Sequence, residues 1–363
     1  LDVVWHEVEG KEPVESHFPH LEAGAYKPIW IWWHVDPNCP DEDNDKAIFG
    51  VALTITNSGT GSGGQTGGGG GGGSGGNPAP TPTDYKIAAV GDWGEENATD
   101  DVVQLILDRG VNLVIGTGDN SYTSSDNEWY SSVIKPIDDN QGSGVRFESA
   151  NGNHDSASSI KSHFHYQNTY TSFDFQNVHV LILDTDSSDM SVGSAQHNFA
   201  EADLTAQDSR SEIDWIFVAF HHPMVTASTD HPANEFEQIE NYMDMFLEHG
   251  VSLVLTGHNH VWERTYPIKR NGGSVTRVIT DADGPYIKGS PQPWLVNVVS
   301  GTGGHDSGSS LYDLGSQPSY QAFQDNNDNG IFLIEASNGG KTLTCKFIDI
   351  GGSAHDNFSM TTT

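Results

Sequence analysis

Five apolar, strand-sized stretches of this chain each run into a short turn that carries a polar side chain. Asp92 follows residues 86–90, Asp119 follows 112–116, and Asn153 follows 145–150. His221 closes 213–220, and His258 with His260 follows 251–255. Segments of helical period at 100–109 and 234–249, each closed by a glycine, alternate with these strands, and that rhythm restricts the fold to a layered α/β domain. In open α/β sheets, ligands gather beyond the carboxyl ends of the strands. Five loops would therefore bring carboxylates, an amide and imidazoles to one place, and hard oxygen plus imidazole donors suit Zn, Mn or Fe. One such residue is an ordinary turn former; five in equivalent positions are not. His258 and His260 can face one site only around a bend, which Gly257 is expected to permit.

Charge removes several classes of function. The chain carries 50 Asp and Glu against 16 Lys and Arg, a formal net charge of −34. Binding a nucleic-acid duplex or an anionic bilayer needs clustered cations, so neither is expected. No apolar run approaches the roughly 20 residues that span a membrane. With 35% hydrophobic residues the chain can still bury a sizeable core. The acidic excess reads as a surface adapted to a salty exterior, or else as one that collects cations. The chain opens at Leu1 without a charged-then-apolar leader, so an exported, extracellular protein with its signal peptide removed is expected. Two sequons, Asn97-Ala98-Thr99 and Asn357-Phe358-Ser359, fit that reading. The two cysteines, Cys39 and Cys345, exclude a disulfide scaffold, and a bridge between them would fasten the amino-terminal part to the main domain.

Residues 58–76 hold 13 of the 41 glycines, and a proline-rich stretch follows to residue 83. Four regions are expected: a small aromatic-rich β module at 1–57, a Gly/Pro-rich linker at 58–83, the main domain at 84–352 and a tail at 353–363. Seven consecutive glycines cannot order themselves, so packing or self-assembly through residues 1–83 would be needed to fix them. The runs 41–45 and 325–330 look like partial calcium loops without a closing Glu.

Five blocks occur in order: Gly91-Asp92-Trp93-Gly94, Gly118-Asp119-Asn120-Ser121-Tyr122, Gly152-Asn153-His154-Asp155, Val218-Ala219-Phe220-His221-His222-Pro223 and Gly257-His258-Asn259-His260-Val261-Trp262-Glu263-Arg264. Together they resemble the motifs of calcineurin-like metallophosphoesterases, and more narrowly the purple acid phosphatases. Two departures select that branch. The first block reads Asp-x-Gly where most members have Asp-x-His, and Tyr122 lies three residues after Asp119. The fold implied is a metallophosphoesterase β-sandwich flanked by helices.

The resemblance implies a binuclear site. Asp92, Asp119, Tyr122 and His260 would hold Fe(III), while Asn153, His221, His258 and the shared Asp119 would hold a divalent Fe, Zn or Mn. Burial and the cation together are expected to favour the Tyr122 phenolate. His154 would contact phosphoryl oxygens with Asp155 orienting it, and His231 would act as general acid. His222 is expected to be structural, and Glu263 and Arg264 to form an ion pair holding the histidine loop. The function implied is a secreted phosphomonoesterase of acid phosphatase type acting on phosphate esters. A phosphodiesterase or nucleotidase on the same metals is the alternative, with specificity in loops 124–139 and 227–235. A structural subunit of an extracellular assembly that carries a phosphatase domain is the third reading. With a charge of −34, capture of an anionic substrate is expected to be slow and assisted by salt.

Overall fold

The computed structural model describes residues 84–362, apart from 95–96, 123–132, 134–136, 138–144, 234–236, 291–292 and 307–310. The expected module at 1–57, the linker at 58–83, the run 41–45, Cys39 and most of the loop 124–139 lie outside the described residues. Among the described residues, Cys345 is a free cysteine and fully buried.

The described elements run in chain order as β1 (Tyr85–Val90), α1 (Asn97–Arg109), β2 (Leu113–Gly116), β3 (Arg146–Ser149), α2 (Ala157–Phe164), β4 (Thr171–Phe175), β5 (Val178–Ile182), α3 (Ala195–Gln207), β6 (Trp215–Ala219), α4 (Glu237–Glu248) and β7 (Leu253–Thr256). They continue as β8 (Trp262–Thr265), β9 (Ile268–Asn271), β10 (Ser274–Arg277), β11 (Tyr286–Ile287), β12 (Val296–Ser300), β13 (Gln321–Asp325), β14 (Gly330–Ser337), β15 (Thr342–Asp349) and β16 (Ala354–Thr361). Two seven-stranded sheets result, ordered β11-β16-β15-β14-β1-β2-β3 and β13-β8-β12-β7-β6-β5-β4. Strands β1, β2 and β3 are mutually parallel, as are β5, β6, β7 and β12. The expected α/β sandwich with flanking helices is the observed one.

Side-chain alternation builds the layers. On β1, Ile87 and Ala89 join Phe217 and Leu255 of the other sheet in one core, whereas Ala88 and Val90 pack with Val102 and Ile106 of α1. A third core seats Leu204 of α3 and Phe246 of α4 against Val218 and Val254. Such strands are buried on both faces, which is why they read as continuous apolar runs.

Two expectations are corrected. Residues 353–363 are not a tail, because β16 pairs with β15 along its length and sends Phe358 and Met360 into the intersheet core. Glu263 and Arg264 do not pair with each other, because neighbours on a strand point to opposite faces. Arg264, on β8, crosses to the other sheet and grips the Asp356 carboxylate of β16 with Nε and Nη2 at 2.6 and 2.7 Å, its guanidinium 4.4 Å over the Phe358 ring. Glu263 instead accepts from Thr226 Oγ1 at 2.6 Å and Ala227 N at 2.7 Å.

The Arg264–Asp356 pair is buried and two-pronged, so removing either partner strands a charge in the core. Asp356→Ala should lower unfolding free energy by about 3–5 kcal/mol, read from urea denaturation. The double variant Arg264→Met with Asp356→Leu should recover much of that loss. Equal loss in single and double variants would show that the pair is not the source.

Candidate metal centre

The carboxyl ends of the two parallel strand sets deliver the side chains. β1 and β2 lead to Asp92 and Asp119, and the turn after β3 carries Asn153, all from the first sheet. β6 and β7 lead to His221 and to His258 and His260 from the second. Three of these residues bend the backbone into the left-handed region: Asp92 (φ 60°), Asp119 (φ 48°) and His258 (φ 68°). Strain of this kind persists where surrounding structure over-determines it, as at functional sites. The bend at His258 is therefore taken by the histidine itself. Gly257 serves another purpose, since a Cβ there would lie 2.4 Å from Asp92 Oδ2. Gly118 and Gly152 likewise leave room for the His221 ring and the Asp119 carboxylate.

Two groups of donors face inward. In one, Tyr122 Oη lies 2.8 Å from His260 Nε2 and 3.2 Å from Asp92 Oδ1, and that Oδ1 is 3.4 Å from His260 Nε2. In the other, His221 Nε2 is 3.0 Å from Asn153 Oδ1, 3.2 Å from Asp119 Oδ2 and 3.3 Å from His258 Nδ1. The opposite nitrogen of His221 bonds the Thr117 carbonyl at 2.9 Å. With Nδ1 so tied, His221 aims Nε2 at two oxygens, and when unprotonated that nitrogen joins them as donors to a cation. Asp92, Asp119 and His221 place donor atoms within 4.8 Å of one another, as do His221, His222 and His258. One group combines carboxylates with an imidazole and the other is all imidazole, and donor sets of this chemistry can hold metal. His222 enters the second group although it is also tied through Nδ1 to Thr185 Oγ1 at 2.8 Å.

Without a cation the donors carry the imbalance themselves. Burial opposes a charge on His221, but Asp119 and Asp92 push it up to about 10. Burial would raise Asp119, yet His221 and the His154 N–H hold it below the usual carboxylate range. Burial, with His221, His222 and His231 close by, drives His258 down. Tyr122 corrects an expectation: burial, then Asp92 and Asp119, raise its phenol, so burial opposes the phenolate and a cation alone would have to draw the proton off.

At the rim, His154 is exposed, its ring 4.4 Å from that of Tyr122, while its N–H donates to Asp119 Oδ1. Asp155 does not orient that ring. Its carboxylate accepts from the N–H groups of Asn120 and Gly152 at 2.8 Å and from Asn120 Nδ2 at 2.9 Å, which clasps the Asp119 and Asn153 loops together. Burial, with Asp119 nearby, raises Asp155 to about 7. His231 lies beside the donors, its ring 4.4 Å from that of His258, and its carbonyl accepts from Asn259 Nδ2 at 3.0 Å.

Sequence reading missed the loop after β12. There Asp306 bonds His260 Nδ1 at 2.5 Å, and His305 lies flat on Tyr122 with ring centroids 3.4 Å apart. Tyr312 stacks on His260 at 4.2 Å. The available signal was Gly303-Gly304-His305-Asp306 just past another apolar strand. The run 325–330 goes from the last residue of β13 to the first of β14, and between them Asn329 donates to the Asp306 carbonyl at 2.8 Å.

Residues 85–262 match the calcineurin-like phosphoesterase family. Purple acid phosphatase 18 of Arabidopsis thaliana is 28% identical over 158 residues, 44% of this chain and 32% of that protein. An acid phosphatase of Aspergillus ficuum is 27% identical over 131 residues, 36% of this chain and 20% of that one. The matched stretches thus span a third or less of these relatives. Among solved structures, purple acid phosphatase PPD1 from yellow lupin (Lupinus luteus) seeds superposes with a TM-score of 0.65 at 19% identity, covering 78% of this chain and 55% of that one. A protein described as the anchor in the inner membrane complex of Plasmodium shares the fold with a TM-score of 0.55 at 17% identity, covering 77% and 89%. The resemblance carried by the five blocks is borne out.

A Cβ on Gly152 would sit 2.2 Å from both the N and Oδ1 of Asp119. Gly152→Ala should therefore displace that carboxylate and sharply reduce the metal retained after dialysis, with far-UV circular dichroism unchanged. Full metal retention would show that Asp119 is not a donor.

Proposed function

We propose that this chain, whose residues 85–262 are a calcineurin-like phosphoesterase domain of the purple acid phosphatase-like branch, is a binuclear metal-dependent phosphomonoesterase of acid phosphatase type. The observation that carries the reading is the convergence of two inward-facing donor groups at the meeting ends of the two sheets. Asp92, Asp119, Tyr122 and His260 would hold Fe(III). Asn153, His221 and His258, with Asp119 shared, would hold a divalent Fe, Zn or Mn. Bound there, the ions would clamp the phosphoryl oxygens and make a water acidic enough to supply hydroxide.

The chain's own groups supply the rest. His154, exposed beside Tyr122, reaches toward the phosphoryl oxygens of an incoming ester. His231, next to His258, would hand a proton to the departing alcohol or phenol oxygen. Asp155 and Glu263 act one step back: the first ties the Asp119 and Asn153 loops, the second holds residues 226–227 of the His231 loop. The donors themselves are buried, apart from Asn153 and the part-exposed Tyr122. Water is thus kept from competing for the buried donors.

An exported protein is part of the same reading. It is supported by the acidic composition and by the exposed sequon residue Asn357. Among the described residues no helix is long and apolar enough to cross a membrane.

Purified protein should hydrolyse an aryl phosphate monoester faster than the matching diester, and chelation should stop turnover until metal is restored. Asn153→Ala and His258→Ala should each lower kcat/KM by at least about 100-fold, equivalent to about 2.7 kcal/mol of transition-state stabilisation. Faster diester cleavage would turn the assignment to a diesterase, and full activity in either variant would remove the donor assignment. Tyr122 supplies an independent readout. With iron bound, the protein should be pink to purple, and Tyr122→Phe should bleach it, since tyrosinate on Fe(III) absorbs in the visible and on zinc does not. Iron-loaded protein that stays colourless would remove Tyr122 from the donors.

A further inference from the structure

We infer that residues 301–306, the loop after β12, form a sixth arm of the metal centre, in which Asp306 and His305 are positioning residues for His260 and Tyr122. The inference rests on the binuclear reading above and assigns roles to side chains outside the five motif blocks.

The loop is built onto the donor loops. Gly303 N donates to the Gly91 carbonyl at 2.9 Å and His305 N to the Asp92 carbonyl at 3.1 Å. A Cβ on Gly301 would meet the Asn259 carbonyl at 2.1 Å and Asp92 Oδ2 at 2.9 Å, and one on Gly303 would meet the Gly91 carbonyl at 2.4 Å. Only glycine allows so close an approach. Thr99 Oγ1 donates to the Gly303 carbonyl, and Asn329 Nδ2 to those of Thr302 and Asp306, so the loop is fixed from both sides.

From that base the loop touches both side chains that complete the Asp92 donor group. Asp306 Oδ2 accepts a hydrogen bond from His260 Nδ1–H, which fixes the tautomer and leaves the Nε2 lone pair facing Asp92 and Tyr122. His305 covers one face of the Tyr122 ring with an interplanar angle of 4°, and His154 lies against the same ring at 33°. A phenol held between two imidazoles has its oxygen aimed before any ion arrives, which lowers the ordering required on binding. The side-chain contacts of Asp306 and His305 fall on His260 and Tyr122, the two side chains that complete the Asp92 donor group. The arm therefore serves that donor group.

That assignment supplies the test. Metal-free protein is loaded with Zn(II), dialysed against a weak chelator, and the retained zinc counted by elemental mass spectrometry. Wild-type protein should keep two equivalents. Asp306→Ala should keep one, its weaker site losing about 10- to 100-fold in affinity, and His260→Ala should do the same. Thermal unfolding of metal-free Asp306→Ala should match wild type. For His305, iron-loaded His305→Ala should shift or weaken the visible band, and His305→Phe, which keeps a flat ring, should restore it. Fewer than two equivalents in wild type would overturn the binuclear reading itself. Two equivalents retained by Asp306→Ala, both sites lost together, or a metal-free protein that melts early would overturn the role given to Asp306. An unchanged band in His305→Ala would overturn that of His305.

Discussion

Two carboxylates, Asp92 and Asp119, lie almost wholly out of water where the ends of two sheets meet, and the rest of the site answers to their charge. An isolated buried carboxylate is too unfavourable to persist unless it is neutralised, paired or bound to a metal. Around this pair the chain gathers imidazoles: His221 within 3.2 Å of Asp119, His260 within 3.4 Å of Asp92, with His258 and His222 behind them. Asp119 and Asp92 push His221 up, whereas burial and the neighbouring imidazoles drive His258 down. A metal ion held by such imidazoles would compete with protons for them.

Holding like charges together requires a stiff frame. Asp92, Asp119 and His258 all sit at positive φ, each at the carboxyl end of a strand whose ladder fixes the residues before it. Glycines at 118, 152 and 257 remove the side chains that would separate the loops. Farther out, Arg264 joins the two sheets through Asp356, so the relative placement of the two donor sets depends on an ion pair outside the site. Side chains built on regular elements with packed supports keep the geometry that such chemistry needs.

Much of this was legible because strands buried on both faces announce themselves as apolar runs, and the polar residue after each run marks its end. β1, β2, β3, β6 and β7 fall within two residues of where the pattern puts them. What escaped had weaker local signals. Helix α3 buries Gln196, Ala200, Leu204 and Gln207, a stripe half polar and so without clear amphipathic period. β16 is rich in Asn, Asp, Ser and His, and reads as a tail until its partner strand is known. A sequence shows the adjacency of Arg264 and Glu263, whereas the true partner, Asp356, is 92 positions away. The same blindness hid Asp306, which lies 46 residues beyond the imidazole it holds. In each case the missing information was the contact between distant strands.

A net charge of −34 must be reconciled with the anionic ester of the proposed function, and distance decides the matter. Charges on the outer surface act through water and salt, where interactions beyond about 8–10 Å are largely screened. Groups inside the cleft act at contact range, in surroundings where the same charge counts for several times more. An ester phosphate of the kind proposed, once at His154 and Asn153, would be governed by the buried centre, not by the exterior. The acidic surface would act earlier, on the approach, where it would slow encounter and where salt would relieve it. Capture and turnover would in this way be set by different parts of the same chain. The exterior can be tuned to its medium without disturbing the few atoms at which the reaction would occur.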